Sequence, residues 1–294
     1  MKHPASSVST RSCQEYCVIG WPLGHSLSPL LHNTGFRTLG LAARYQARPV
    51  PPEELSSFLA LMREQAIAGC SVTIPHKSAV IPFLDAVHER ARRIGAVNTL
   101  YWEEGKLSGD NTDCLGFLSP LKGLPLAEMR VLLLGCGGAA RACLQGLKEA
   151  HAKEIFITSG RSTKGTAASG RHRILAEEFA VQPLAWEERH TLEVDLLVNA
   201  TPLGMQGAHE NETPYDFTRA RRTPEIAYDI VYVPRTTRFL REAGAMGLTC
   251  IPGAEMFFHQ GNAQFLRWTG HNLPPAARTA LDCALKAQEE GAVR

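Results

Sequence analysis

The sequence predicts an α/β protein of two domains with a cleft between them. Three observations carry that expectation. Short apolar runs alternate with helical patterns through nearly the whole chain of 294 residues. The fully apolar run Val131-Leu132-Leu133-Leu134 opens a second strand–helix series, and such alternation implies a parallel sheet covered on both faces. The last two helical patterns have no strand partners, so they are expected to pack back onto the first domain and make it discontinuous. The expected division is a flexible tail over 1–15, one domain from 16–112 plus 253–294, and a second over 113–252.

Taken in order, Met1 to Glu15 is polar and Ser-rich, without the apolar stretch of a secretory signal, and reads as a mobile tail. Tyr16 to Gly20 is a strand, followed by a turn at Trp21-Pro22-Leu23-Gly24. Pro29 to Leu39 reads as a helix, with Ser28 as N-cap and Pro29 at the first helical position. A strand over Arg44 to Pro49 and an amphipathic helix over Pro52 to Ala66 follow. Cys70 to Ile74 is a β-branched strand that Pro75 stops. Asp85 to Ile94 reads as a basic helix, and Asn98 to Trp102 with Lys106 to Ser108 as a hairpin around Glu103 to Gly105. In the second series, strands are expected at Val131 to Leu134, Ile155 to Thr158, Val194 to Asn199, Ile226 to Ile230 and Leu248 to Ile251. Helices over Ala254 to Trp268 and Pro275 to Glu290 close the chain.

Composition narrows the function classes. Hydrophobic content is 44% and charged content 20%, ordinary for a globular protein with a buried core. The net charge of +2 creates no global field for nucleic acid or an anionic membrane, and no apolar run reaches bilayer length. The eight cysteines form no CxxC pair and no zinc-spaced cluster with histidine, so no metal site is expected and the thiols read as reduced, in a cytoplasmic protein.

The loop after Leu134 carries the first chemical signal. Gly135-x-Gly137-x-x-Ala140 fits the dinucleotide fingerprint with Ala at its third small position, in the required strand–loop–helix context. Gly135 would make the tight turn, Gly137 would let a pyrophosphate approach the backbone, and Ala140 would let helix pack on strand; Gly138 and Ala139 complete the loop. The phosphates would sit at the positive end of the following helix. This is the expectation of a Rossmann-like domain. At the end of the next strand an acid would hold a ribose 2′-hydroxyl, but the chain reads Thr158-Ser159-Gly160-Arg161-Ser162-Thr163-Lys164. A hydroxyl at Ser159 and cations at Arg161 and Lys164 suit a 2′-phosphate and favour NADP over NAD.

Polar motifs supply the second signal. Ser26-Leu27-Ser28-Pro29 offers two hydroxyls at a strand-to-helix turn, which could clamp a small carboxylate or, for Ser28, merely cap the helix. Ser71-Val72-Thr73-Ile74-Pro75-His76-Lys77 puts a lysine just past a strand end, where it would face a crevice between domains. Gly95-Ala96-Val97-Asn98-Thr99 places an amide at a strand start, and Gly109-Asp110-Asn111-Thr112-Asp113 an acid before a helix, where an N-cap is the plain alternative. A Lys and an Asp meeting in one cleft beside a redox cofactor can hold and pass the proton that completes reduction of a ketone to an alcohol. Asn199-Ala200-Thr201-Pro202-Leu203-Gly204-Met205 and Tyr228-Asp229-Ile230-Val231-Tyr232 lie at carboxyl ends of strands, where ligands sit in such folds, and Met205 could press on a nicotinamide ring. Pro252-Gly253-Ala254-Glu255-Met256-x-x-x-Gln260 opens the first C-terminal helix.

Together these motifs resemble the shikimate dehydrogenase family, from about Tyr16 to the C-terminus and in family order. The resemblance implies a two-domain enzyme that reduces 3-dehydroshikimate to shikimate with NADPH, in chorismate and aromatic amino acid biosynthesis. It implies Lys77 and Asp113 as the catalytic pair, Ser26 and Ser28 as a carboxylate clamp, Thr73, Asn98 and Gln260 as contacts to the ring hydroxyls and carboxylate, Ser71 as a hydroxyl of the substrate pocket, and Tyr232 as the substrate-side aromatic beside the nicotinamide. It puts Thr201, Met205 and Gly253 on the cofactor side.

Two positions depart from the family pattern. Ser71 stands where many members carry Asn, and relatives that accept quinate carry Ser there, which keeps a quinate or dual quinate/shikimate dehydrogenase as the alternative. The usual N-R-T after the second cofactor strand appears as Ser159-Gly160-Arg161-Ser162, so Arg161 is offset and Arg171 or Arg173 could share the phosphate. A non-catalytic metabolite sensor is the remote alternative, and it would be free to lose the Lys77 and Asp113 pair. The expected partner is a small molecule, with no nucleic acid and no membrane, and the chain is expected to be a monomer or homodimer.

Overall fold

A computed structural model describes residues 13–24, 26–65, 67–160 and 170–292. Two six-stranded sheets organise the chain. The first takes β1 (Gln14–Gly20), β2 (Ala43–Pro49), β3 (Gly69–Val72), β4 (Ala86–Val87), β5 (Thr99–Glu103) and β6 (Lys106–Asp110), in the order β2-β1-β3-β5-β6-β4. It is mixed: β1 runs parallel to β2 and β3, whereas β5 runs antiparallel to β3 and β6. The hairpin expected around Glu103 to Gly105 forms, with Glu104 and Gly105 both at positive φ, 51° and 74°.

The second sheet is parallel throughout, as the alternation predicts. It takes β7 (Arg130–Leu134), β8 (Glu154–Thr158), β9 (Gln182–Pro183), β10 (Leu196–Asn199), β11 (Ile226–Asp229) and β12 (Thr249–Ile251), in the order β12-β11-β10-β7-β8-β9. Val131, Leu132, Leu133 and Leu134 are all fully buried, which is why that strand shows no polar alternation. The order reverses direction beside β7, and in open parallel sheets such a switch point is where ligands bind.

The helices are α1 (Ser28–Thr38), α2 (Leu55–Glu64), α3 (Glu89–Ile94), α4 (Asp113–Leu118), α5 (Gly138–Glu149), α6 (Arg171–Glu178), α7 (Arg238–Ala245), α8 (Gly253–Thr269) and α9 (Pro275–Ala292). The C-terminal pair joins the core of the first sheet: Phe265 of α8 and Ala277, Leu281 and Leu285 of α9 cluster with Tyr16, Val18, Leu31, Phe36 and Tyr45. Helix α8 also touches α4 very closely, since a Cβ on Gly116 would lie 2.6 Å from the Met256 carbonyl and 2.8 Å from the Gln260 Cβ. Among the described residues no helix is long and apolar enough to cross a membrane. All eight cysteines are free thiols.

Several local expectations are corrected. β1 starts at Gln14, inside the segment read as tail, and Glu15 pairs with Arg44 and, at 2.9 Å, with Arg48. Ser28 is the first residue of α1 rather than its cap; Leu27 occupies the cap position without a side-chain bond. The helix expected over Asp85 to Ile94 is only α3, because Ala86 and Val87 pair with β6 and the His88 imidazole caps the helix. Helices α6 and α7 and strand β9 lie outside the expected elements, and the two-residue strands β4 and β9 are too short to show a period.

Candidate active site

A cleft of about 530 Å³ opens between the two sheets. One side of it holds Ser26, Ser28, Ser71, Thr73, Lys77, Asn98, Asp113, Gln260 and Gln264, and the other Ala139, Met205, Ile230, Tyr232 and Gly253. Nine of the polar or aromatic residues singled out from sequence therefore share one space: Ser26, Ser28, Ser71, Thr73, Lys77, Asn98, Asp113, Tyr232 and Gln260.

Lys77 and Asp113 meet on the floor of this cleft. β3 ends at Val72, and the segment that follows is pinned at two places. His76 bonds through Nε2 to the Val50 carbonyl at 2.6 Å, and the Val97 amide donates to the Lys77 carbonyl at 2.7 Å. Lys77 Nζ then donates to Asp113 Oδ2 at 2.5 Å. The two side chains are 22% and 11% exposed, so the pair is reachable from the cleft yet largely withdrawn from water. Asp113 is not an N-cap: it is the first residue of α4, and its backbone amide donates to Asn111 Oδ1 at 3.0 Å.

Asn98 fixes the acid from the other side. Its Nδ2 donates to Asp113 Oδ1 at 2.8 Å, while its Oδ1 accepts from the Thr112 amide and from Thr99 Oγ1, both at 2.7 Å. With the amide orientation set by those two donors, Nδ2 faces the carboxylate and, at 3.0 Å, Thr112 Oγ1. One oxygen of Asp113 thus serves Asn98 and the other serves Lys77.

Ser71 behaves differently from the expectation of a free pocket hydroxyl. It accepts from Tyr45 OH at 2.6 Å and donates to Gln264 Oε1 at 2.8 Å. Gln264 Nε2 donates onward to Thr99 Oγ1 and to the Asn98 carbonyl, both at 3.1 Å. The single Ser71 donor is engaged inside the protein, so Ser71 shapes the cleft floor rather than offering a hydrogen to a ligand. Gln264 escaped the sequence reading; its spacing of four from Gln260 on one helix face is the signal that points to it. His76 escaped for want of any periodic signal.

At the mouth, the Ser28 amide donates to Ser26 Oγ at 3.3 Å. Tyr232 stacks on Phe257 with centroids 4.5 Å apart, and burial raises its phenol above the ordinary tyrosine range. Met205 is 47% exposed at the cleft edge.

The nucleotide loop has the shape its residues predict. Gly135 sits at φ +117°, and a Cβ there would lie 2.5 Å from the Ala200 carbonyl, so only glycine fits. Cβ atoms on Gly137 and Gly138 would meet nothing within 4 Å, which leaves the start of α5 open to a ligand's phosphates. Ala140 is fully buried where α5 packs on the sheet. Thr201 lies outside the cleft lining, its hydroxyl donating to Asn199 Oδ1 at 2.7 Å. Ser159 Oγ lies 3.4 Å from His172 Nδ1 at the start of α6. Arg161 and Lys164 lie outside the described residues. No group of three or more His, Cys, Asp or Glu that could hold a metal ion occurs among the described residues.

A parallel-sheet domain with an open glycine loop, beside a cleft floored by a Lys–Asp pair, is the arrangement of a two-domain nicotinamide-dependent oxidoreductase. Comparison with known proteins agrees. Residues 18–100 match the shikimate dehydrogenase substrate binding domain. The chain is 48% identical over 274 residues to the shikimate dehydrogenase (NADP(+)) of Pelobacter propionicus, covering 92% of this chain and 96% of that one. It superposes with a TM-score of 0.81 on the shikimate 5-dehydrogenase of Thermus thermophilus in complex with NADP(H) and shikimate; identity is 38%, over 92% of this chain and 99% of that one. A 5-ketofructose reductase of a Gluconobacter species superposes with a TM-score of 0.83 at 30% identity, over 94% of this chain and 99% of that one. The chain belongs to the shikimate dehydrogenase family.

Proposed function

We propose that this chain is an NADP-dependent oxidoreductase that reversibly reduces 3-dehydroshikimate to shikimate, on the route to chorismate and the aromatic amino acids. The observation that carries this reading is the Lys77–Asp113 contact of 2.5 Å, set in the same cleft as Ser26, Ser28 and the Met205–Tyr232 wall. NADPH, when bound, supplies the hydride. The Gly135 turn and the open start of α5 are suited to its pyrophosphate, and Ser159, Arg161 and Lys164 to its 2′-phosphate. NAD remains a second cofactor to test.

The chain's own residues do the rest. Ser26 and Ser28 orient the substrate carboxylate. Thr73, Asn98 and Gln260 hold ring hydroxyls. Lys77 Nζ donates a proton to the carbonyl oxygen as it becomes an alkoxide, and its positive charge stabilises that oxygen in a site shielded from water. Asp113 Oδ2 holds the ammonium at the reacting atom. In the reverse direction the same pair receives the hydroxyl proton.

The same reading assigns residues 16–112 with 253–294 to the substrate domain and 113–252 to the dinucleotide domain. The sharing of one core by α8, α9 and the first sheet supports that division. We further read the protein as cytoplasmic and as a monomer or homodimer. Quinate stays the second substrate because Ser71 is small and its hydroxyl is turned away into the Tyr45–Gln264 chain. A metabolite sensor is disfavoured by the intact proton-transfer pair. Initial rates with shikimate and with quinate, each with NADP and NAD, test the reading. Fastest turnover with shikimate and NADP is expected, and oxidation of neither polyol would overturn it.

A further inference from the structure

The wall of the cleft opposite Lys77 is held together by one carboxylate. Asp229 ends β11, is fully buried and does not line the cleft. Its Oδ1 accepts from Asn199 Nδ2 and from the Val231 amide, both at 3.0 Å, and its Oδ2 accepts from Thr237 Oγ1 at 2.5 Å. Each donor belongs to a different piece of the wall. Asn199 ends β10, its Oδ1 accepts from the Thr201 amide at 2.9 Å, and its Nδ2 also donates to the Leu203 carbonyl at 3.1 Å, so it sets the turn that leads to Met205. Val231 lies between Ile230 and Tyr232, which face the cleft. Thr237 caps α7 by accepting from the Leu240 amide. A further strut joins the two loops where the Gln206 amide donates to the Val233 carbonyl at 2.9 Å.

We infer that Asp229 is a positioning residue for hydride transfer, whose ionised carboxylate locks the Met205 loop and the Tyr232 loop into one geometry. The inference rests on the oxidoreductase reading above. Three donors face the carboxylate, and only the anionic form accepts from all three. Protonation puts a hydrogen between Oδ2 and Thr237, and the Thr237 hydroxyl then loses its acceptor. Burial works against the anion and raises the titration of Asp229 to about 7, with the bonds from Thr237, Val231 and Asn199 opposing it. The groups that face it from β10, from the loop after β11 and from α7 are Asn199, the Val231 amide and Thr237, none of which titrates. No charged side chain among the described residues contributes to its titration.

The test compares wild type with Asp229→Asn, Thr237→Val and Thr237→Ser. Shikimate oxidation is followed across pH 5.5–9, and NADPH fluorescence on binding is measured over the same range. Asp229→Asn keeps the shape but not the charge. It should lower kcat at least about 10-fold, leave the KM for shikimate within about threefold, and flatten the rise in kcat near pH 7, since the carboxylate clamp and the ring-hydroxyl contacts lie on the other wall. Thr237→Val removes one donor from the anion and should move that rise upward by about one pH unit. Thr237→Ser should restore it, and a merely structural role predicts no such shift in a folded variant. Wild-type kcat and pH profiles in both Asp229→Asn and Thr237→Val would overturn the inference while leaving the function intact. Absence of shikimate oxidation by wild type, with NADPH fluorescence still altered by Asp229→Asn, would instead overturn the function.

Discussion

Asn98 ties Asp113 to Thr99 and Thr112 on the cleft floor. Removing its amide takes the donor from Asp113 Oδ1 and the acceptor from the Thr112 amide and the Thr99 hydroxyl, all in a buried place. Asn98→Ala is therefore expected to cost about 1–3 kcal/mol in urea unfolding and to lower turnover as well. Ser71→Ala should behave differently. It breaks the chain from Tyr45 to Gln264, so a stability loss in the same range is expected. The KM for shikimate should change by less than about threefold, because the Ser71 hydrogen points into the protein. A tenfold KM increase would return Ser71 to direct substrate recognition. His32 yields a pH prediction. It stacks on Tyr45 with centroids 4.5 Å apart, and burial, partly offset by the Gln264 carboxamide, drives its titration down to about 3. The unfolded imidazole titrates near 6.5, so between the two values the unfolded chain binds a proton that the folded chain excludes. Stability from this group is thus lost as pH falls below 6.5. Between pH 6.5 and 5, wild type should lose about 2 kcal/mol more than His32→Leu in urea titrations. Asp229 carries the opposite sign, because its folded value lies above the unfolded one, so only the difference between variant and wild type isolates His32.

Elements differ in how plainly the sequence announces them. The strand, loop and helix around Gly135 are legible because every local rule agrees there: an apolar run, glycines where a Cβ would strike the Ala200 backbone, then a helical pattern. Gly135→Ala forces a left-handed backbone and that clash, so NADPH affinity should fall at least about 10-fold while shikimate binding persists. The segment 85–94 is less legible because its charges fit a helix as well as the short strand, cap and helix that form. β4 exists only because β6 is there to pair with, which is tertiary information. In the candidate site, the hydroxyls, amides and charged pair can be read from motifs. His76 cannot, since what singles it out is the Val50 carbonyl, a partner far away in sequence, and Gln264 is marked only by its spacing of four from Gln260 while its partner Ser71 lies far along the chain.

At the scale of the whole molecule, the two sheets meet over the cleft through α4 and α8. Gly116 allows that contact: a methyl there would lie 2.6 Å from the Met256 carbonyl, too close for either helix to keep its place. α4 begins at Asp113 and α8 carries Gln260, so Gly116→Ala should displace both cleft residues and destabilise the fold by about 1–3 kcal/mol. The central claim concerns the pair on the cleft floor: Lys77, held by Asp113, gives its proton to the forming alkoxide. Steady-state turnover of Lys77→Ala with shikimate and NADP, alongside NADPH binding by fluorescence, tests it most directly. A fall in kcat of at least about 100-fold with unchanged NADPH affinity is predicted. Turnover close to wild type in that variant would contradict the account.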